Sequence, residues 1–273
     1  MKNLKGRVVL ITGASGGIGK AVALAVADEG CDVVLYARRE KELNEVADAI
    51  RKKGRRALVV PTDVAVEEQM KDLAKKAFKE FGKVDIVFCN AGIGWTGPTH
   101  LMTKADWDTV YNVNFFHVIY AIQLFVPPMV DRREGHFVIN ASAFGLTGIP
   151  FGTLYASSKS ALIMLGECLR SELASSNVGV TTICPGLIES DLIANTTFKK
   201  VDEEARSLSA MVTPMPVDKC VRKIIKAIKK NKGIVVITAL ANALWYTKRL
   251  SQRLYELVSL MVATKTSKYV HGK

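Results

Sequence analysis

The sequence has no continuous apolar run of about 18 residues, the length a helix needs to cross a bilayer, so no transmembrane helix is expected. The opening stretch Met1-Lys2-Asn3-Leu4-Lys5-Gly6 has no apolar h-region or cleavage site and leads straight into an apolar strand, so no secretory signal is expected. Cysteine is sparse: Cys31, Cys89, Cys168, Cys184 and Cys220 are odd in number, scattered, and never spaced as C-x-x-C. That argues against a metal site and a disulfide framework, and for buried free thiols in a reducing cytoplasm. No linker, internal repeat or low-complexity segment divides the chain. Basic residues interleaved with aromatics are missing too, so no nucleic-acid partner is expected.

Acidic residues are scarce in one region only. Residues 1–198 hold 22 Lys and Arg against 21 Asp and Glu, whereas residues 199–273 hold 16 against 5. The net charge of +12 is therefore a property of the C-terminal quarter. What is plentiful is apolar sequence: 49% of 273 residues, enough for one large α/β domain. Strand-like runs at 8–12, 32–37, 57–60, 84–89, 136–140, 178–183 and 234–237 alternate with helical patterns. Those helices run to about 29 and over about 40–53, 66–81, 104–129, 155–174 and 217–230. This alternation predicts an α/β fold, a doubly wound, parallel seven-stranded sheet with helices on both faces. Residues 1–238 read as one domain, with 187–215, which lack clear periodicity, as a substrate lid. Residues 239–273 read as a basic, amphipathic helical extension.

In such a sheet, ligands sit beyond the carboxyl ends of the strands, so the residues there carry the functional reading. After the first strand comes Thr12-Gly13-Ala14-Ser15-Gly16-Gly17-Ile18-Gly19, then an Ala-rich helix. Glycines let the backbone turn tightly and approach a ligand, and the helix start offers unpaired N–H groups and a positive dipole end. Gly13, Ser15, Gly16, Gly17, Ile18 and Gly19 are candidate pyrophosphate binders, although the spacing is not the Gly-x-Gly-x-x-Gly fingerprint. After the second strand stand Arg38 and Arg39, where an NAD site offers a carboxylate to the ribose 2′-hydroxyl. Guanidiniums match a 2′-phosphate in charge and fork geometry, so NADP(H) is expected, with NAD(H) as the alternative.

Asp63 and Val64 follow the third strand, the carboxylate suited to an adenine amino group. Asn90, Ala91 and Gly92 follow the fourth and leave room for a ribose and nicotinamide. Ser142 follows the fifth, and Pro185, Gly186, Ile188 and Ser190 follow the sixth. Tyr155 and Lys159, at i and i+4, share one helix face. An ammonium beside a phenol favours the phenolate and lowers its pKa from about 10, which predicts a tuned proton donor or acceptor.

In order and spacing, Thr12-Gly13-x-x-x-Gly17-x-Gly19, Asn90-Ala91-Gly92, Asn114, Ser142, Tyr155-x-x-x-Lys159 and Pro185-Gly186 resemble the motifs of the short-chain dehydrogenase/reductase family, over about residues 5–240. The resemblance implies a Rossmann-fold oxidoreductase that moves a hydride between a nicotinamide and a carbonyl or alcohol carbon. It implies Tyr155 as general acid/base, Ser142 as the group that orients the substrate oxygen, and Lys159 as the residue that holds the nicotinamide ribose and lowers the tyrosine pKa. It implies Asn114 as the residue that positions a relay water. Pro185, Gly186, Ile188 and Ser190 would hold the carboxamide, with Ser190 where the family often has Thr. A homodimer or homotetramer through helices 104–129 and 155–174 is implied as well.

Two other readings compete. One is a catalytically idle NADP(H)-binding sensor or scaffold, against which the intact set of Asn114, Ser142, Tyr155 and Lys159 argues. The other is an epimerase or dehydratase, for which the chain leaves little room. Ile93, Trp95, Phe144, Leu146, Ile149, Phe151, Leu154, Leu187, Leu192, Ile193, Phe198, Leu208, Met211 and Val212 flank the expected mouth and suggest an apolar, lipid-, steroid- or aromatic-like substrate. The last 35 or so residues run past the family's usual end and place Leu240, Leu244, Tyr246, Leu250, Leu254, Leu257, Val258 and Met261 near helical spacing among Lys248, Arg249 and Arg253. Three roles compete for this extension: a helix packed beside the mouth, a dimer contact, and peripheral contact with an anionic membrane.

Overall fold

The computed structural model describes residues 2–201 and 213–266. Its strands are β1 (Val8–Thr12), β2 (Asp32–Ala37), β3 (Ala57–Pro61), β4 (Ile86–Cys89), β5 (Trp95–Thr96), β6 (Gly135–Asn140), β7 (Val178–Cys184), β8 (Thr197–Phe198) and β9 (Ile234–Val236). Seven of them pair in parallel in the order β3-β2-β1-β4-β6-β7-β9. All five residues of β1 and all seven of β7 are buried, as the continuous apolar runs of a sheet covered on both faces require. The strand order reverses between β1 and β4, which opens a crevice at their carboxyl ends.

Two apolar clusters fill the two sides of the sheet. Helices α1 (Gly17–Asp28) and α2 (Glu40–Lys52) cover one side. Leu43, Val46, Ala47 and Ile50 form the buried stripe of α2, at the spacing read from the sequence. The other side takes α3 (Glu67–Phe81), then α4 (Lys104–Tyr111) and α5 (His117–Asp131), joined by a π-helical turn, Asn112–Phe116. After the short α6 (Ala143–Leu146) comes α7 (Thr153–Glu172), also on that side. Helix α8 (Val217–Lys229) returns to the first side and packs against α1.

The π turn is a departure from the single helix expected over 104–129. A wider turn shifts the helical phase, and here it sets Asn114 fully buried between Ile93 and α7. The absence of an unbroken apolar run was also a poor guide to this segment. Among the described residues, Lys104–Asp131 is long and apolar enough to cross a membrane by length and composition. Its apolar side chains Val118, Ala121, Phe125 and Met129 are buried in the core against the sheet.

The thiols are free, and four are buried as expected, but Cys168 is exposed, so the expectation of buried thiols fails there. The described residues between 187 and 215 pair more regularly than the irregular sequence suggests. Strands β5 and β8 pair in parallel and tie 95–96 to 197–198, and Ile188 bridges to Met215. Residues 202–212, with Leu208, Met211 and Val212, lie outside the described residues. The extension forms two helices rather than one, α9 (Ala239–Leu250) and α10 (Gln252–Thr266), because Ser251 adopts an extended backbone (φ −150°, ψ 99°). Residues 267–273 also lie outside the described part.

Candidate active site

The crevice holds a cleft of about 510 Å³ at the carboxyl ends of β1, β2 and β4. One wall is the glycine turn. Gly13 has a left-handed backbone (φ +69°), and a Cβ there would meet Ala91 Cα and Asn90 Nδ2 at 3.0 Å. A Cβ on Gly19 would lie 2.2 Å from the Gly13 carbonyl oxygen. Only glycine lets the first turn of α1 close this tightly on β1. Helix α1 starts at Gly16 with no side-chain cap and no acidic residue in its first turn. Its free N–H groups and positive end are therefore available to an anion.

A chain of side chains holds the strand ends together. Thr12 Oγ1 accepts hydrogen bonds from the backbone N–H groups of Asn90 (2.8 Å) and Ala91 (3.0 Å). Asn90 Nδ2 donates to the Thr12 and Gly13 carbonyls, and Asn140 Nδ2 donates to Asn90 Oδ1 at 2.9 Å. Asn90 is thus a strut joining β1, β4 and β6. Asn140 was not singled out from the sequence, and Thr12 only as the first residue of the glycine motif. Nothing in a strand's last residue marks it until the neighbouring strand is known.

On the outer rim, Arg39 donates through Nε and Nη2 to Ser15 Oγ (3.3 and 3.1 Å) and pairs with Glu42 at 3.6 Å. Arg38 is exposed on the same rim and makes no hydrogen bond or ion pair with the described residues. Asp63 and Val64 line the cleft, and Asp63 Oδ1 accepts from Ala65 N at 3.0 Å. Ser15, Gly16, Gly17, Ile18, Ala91, Gly92 and Ser190 also line it. So do Leu192, one of the apolar residues expected at the mouth, and Asp191 and Asn195, which the sequence did not point to.

Pro185, Gly186 and Ile188 stand behind the wall. The Pro185 carbonyl accepts from Ala143 N at 2.8 Å, and Ile188 is buried. Gly186 lies under Thr238, whose Oγ1 would be 2.2 Å from a Cβ there.

Behind the Gly92 floor of the cleft, and not among the residues that line it, α7 carries Tyr155 and Lys159 on one face, and Ser142 caps α6. The Ser142 hydroxyl accepts from Phe144 N at 3.2 Å and is near enough to the Tyr155 phenol to act on its pKa. Lys159 is buried, donates to the Asn140 carbonyl at 3.0 Å, and lies 5.9 Å from the Tyr155 ring centre. Its Nζ would stand 3.2 Å from a Cβ on Gly92, so the ammonium borders the floor of the cleft.

The electrostatics differ from the expectation that Lys159 lowers the tyrosine pKa. Burial raises the Tyr155 pKa, against a smaller lowering by the Ser142 hydroxyl. Burial also brings Lys159 down to about 8, which weakens it as a fixed cation. Desolvation outweighs the pair at this separation.

Asn114 has a bracing part besides the one the resemblance implies. Its Oδ1 accepts from Ile93 N (2.8 Å), and its Nδ2 donates to Ile93 O and Ser158 Oγ (both 3.1 Å). The amide thereby holds the 90–93 loop to α7. One helical turn on, His117 is buried, and neither ring nitrogen has a well-formed hydrogen bond. Burial first, then the Lys159 charge, push its pKa down to about 3.

The family profile for short chain dehydrogenase matches residues 7–201. An uncharacterized oxidoreductase of Listeria monocytogenes is 35% identical over 207 residues, 75% of this chain and 84% of its own length. The ketoacyl reductase HetN of Nostoc is 32% identical over 239 residues, 87% of this chain and 80% of its own. A short-chain dehydrogenase/reductase of Burkholderia phymatum, solved in complex with NAD, superposes with a TM-score of 0.86 at 26% identity, covering 93% of this chain and 96% of that one. The chain belongs to the short-chain dehydrogenase/reductase family.

This short-chain dehydrogenase/reductase is therefore an oxidoreductase with a Rossmann NAD(P)-binding fold, acting on CH–OH and C=O groups. The residues present fit a dinucleotide: the turn closed by Gly13 and Gly19, the uncapped start of α1 and a cleft of about 510 Å³ lie in one line along the switch point.

Proposed function

We propose that this short-chain dehydrogenase/reductase transfers a hydride between NADP(H) and the carbonyl or alcohol carbon of an apolar substrate, with Tyr155 as general acid/base. The observation that carries this reading is the Ser142–Tyr155 hydroxyl pair, set at the end of β6 with Lys159 behind it at the Gly92 floor. Gly13, Ser15, Gly16, Gly17, Ile18 and Gly19 would hold the pyrophosphate. Asp63 and Val64 would take the adenine, Asn90, Ala91, Gly92 and Lys159 the inner ribose, and Pro185, Gly186, Ile188 and Ser190 the carboxamide side. Arg38, exposed on the rim with no partner among the described residues, supports a 2′-phosphate and hence NADP(H) over NAD(H).

When bound, the nicotinamide supplies or accepts the hydride. The protein's own groups handle the proton. In reduction, negative charge grows on the substrate oxygen, and the Ser142 hydroxyl donates a hydrogen bond to it while Tyr155 Oη delivers the proton. Because burial raises the Tyr155 pKa, the phenol is protonated at neutral pH and ready to act as the acid.

Leu192 and Ile93 on the cleft and the exposed Phe144 beside Ser142 support an apolar substrate. The relative named a ketoacyl reductase acts on an acyl chain bearing a ketone, which is chemistry of the same kind. Exposed Phe116 and Met164, on the helices the family uses for assembly, support a homodimer or homotetramer.

The test is Tyr155→Phe, assayed by NADPH consumption with a panel of aldehydes and ketones and by NADPH binding. Turnover disappears and binding stays within about twofold, less than the tenfold that 1.4 kcal/mol would give. A fully active Tyr155→Phe overturns the assignment.

A further inference from the structure

Thirteen large hydrophobic side chains are exposed among the described residues, and eight of them lie between 240 and 262. On α10, Leu254, Leu257 and Met261 recur at i, i+3 and i+7, which puts them in one stripe. Leu257 is 60% and Met261 58% exposed, and Leu250, at the end of α9, is 86% exposed. Tyr255 and Val258, on another side of α10, are half-buried. The leucine stripe is thus left outward by a helix that already has a packed side.

The charge around the stripe is of one sign. Between 239 and 266 the sequence has Lys248, Arg249, Arg253 and Lys265 against a single acid, Glu256, and Lys268 and Lys273 follow. Two copies of such a face would repel one another. An anionic surface with an apolar interior complements both features.

We propose that α9 and α10 dock this face on an anionic lipid bilayer, with the leucine stripe in the boundary between headgroups and acyl chains and Arg249, Arg253 and Lys265 on lipid phosphates. Apolar burial and attraction to anionic headgroups act together in such interfacial helices. The helix pair is fixed to the loop that leads from Ser142 to Tyr155: Lys248 Nζ donates to the Leu146 carbonyl at 2.9 Å, and Tyr255 Oη donates to the Gly148 carbonyl at 2.7 Å. Docking therefore sets the substrate mouth beside the bilayer. The lipid contact stands apart from the reaction assigned to the cleft.

The test is co-flotation of the full chain with vesicles of phosphatidylcholine alone and of phosphatidylcholine mixed with phosphatidylserine, which separates binding from aggregation. The protein floats with the mixed vesicles and stays behind with phosphatidylcholine. Salt at about 1 M, where the screening length is about 3 Å, weakens the binding. The triple variant Leu254→Glu/Leu257→Glu/Met261→Glu floats about tenfold less or worse, since each change removes apolar contact and adds a repelled charge. These side chains are exposed, so its thermal midpoint and its NADPH binding match the wild type. Failure of the wild type to float with mixed vesicles overturns the proposal. So does equal flotation of the triple variant, or a fall of its mass to half the wild-type value in light scattering, which assigns the face to a second copy.

Discussion

Asn114→Ala separates a structural part for Asn114 from a purely catalytic one. The side chain is fully buried and makes three hydrogen bonds, two of them to the backbone N–H and C=O of Ile93. Alanine leaves both Ile93 groups without their partner. A buried polar group stripped of its partner costs about 1–3 kcal/mol. Ile93 is half-buried, so water reaches it in part and the low end of that range, about 1–1.5 kcal/mol, applies to each group. Ser158 loses one contact but keeps its donation to the Tyr155 carbonyl at 2.7 Å.

The expected loss is about 2–3 kcal/mol in all. In a chain of this size each kcal/mol lowers the midpoint by roughly 2–4 °C, so a fall of about 5–10 °C follows. Scanning calorimetry of wild type and variant, without ligand and with saturating NADPH, measures it. The 90–93 loop floors the cleft, so NADPH recovers less stability in the variant than in the wild type. An unchanged midpoint alongside lost turnover would refute this reasoning and leave Asn114 a purely catalytic part.

Three further outcomes follow from other parts of the molecule. Gly19→Ala forces the turn open, since its Cβ would lie 2.2 Å from the Gly13 oxygen, and NADPH affinity measured by fluorescence falls at least about tenfold, or 1.4 kcal/mol; wild-type affinity would contradict the tight-turn argument. Arg38→Glu lowers the preference for NADPH over NADH in kcat/KM by about 10–100-fold, the worth of a charge-assisted contact of 1.5–3 kcal/mol; an unchanged ratio removes Arg38 from the 2′-phosphate site. His117 and His136 are buried with pKa values pushed down to about 3. The unfolded chain therefore takes up protons from about pH 6.5 while the folded chain does not, and stability falls as pH drops from about 6.5 to 3, by up to about 1.4 kcal/mol per unit for each histidine. His117→Leu halves that slope in urea melts at successive pH values, and an identical slope would show that His117 titrates freely.

The positions of the seven strands and the main helices were legible because each buries a continuous run or a periodic stripe, and that pattern is local. The cleft residues were legible for a related reason. A doubly wound sheet places its ligand at strand ends, so Gly13, Arg38, Asp63 and Ser190 could be picked out by counting along the chain, and they line one cleft. Asn140, Asp191 and the bracing part of Thr12 could not, because their importance comes from what neighbouring strands and loops bring against them.

Composition and order along the chain by themselves determined the sheet, the glycine turn and the basic C-terminal quarter, all of which rest on residue type and spacing, while the Ser142, Tyr155 and Lys159 set took its meaning from the family resemblance. Only the tertiary structure decided the direction of the Tyr155 pKa, because desolvation depends on what surrounds the phenol and not on the lysine four residues away. It decided that Asn114 braces Ile93, because a π turn shifted the helix by a phase no periodicity announces. It also decided which side of the C-terminal helices is packed and which faces outward, since an amphipathic pattern names an apolar stripe without naming what covers it.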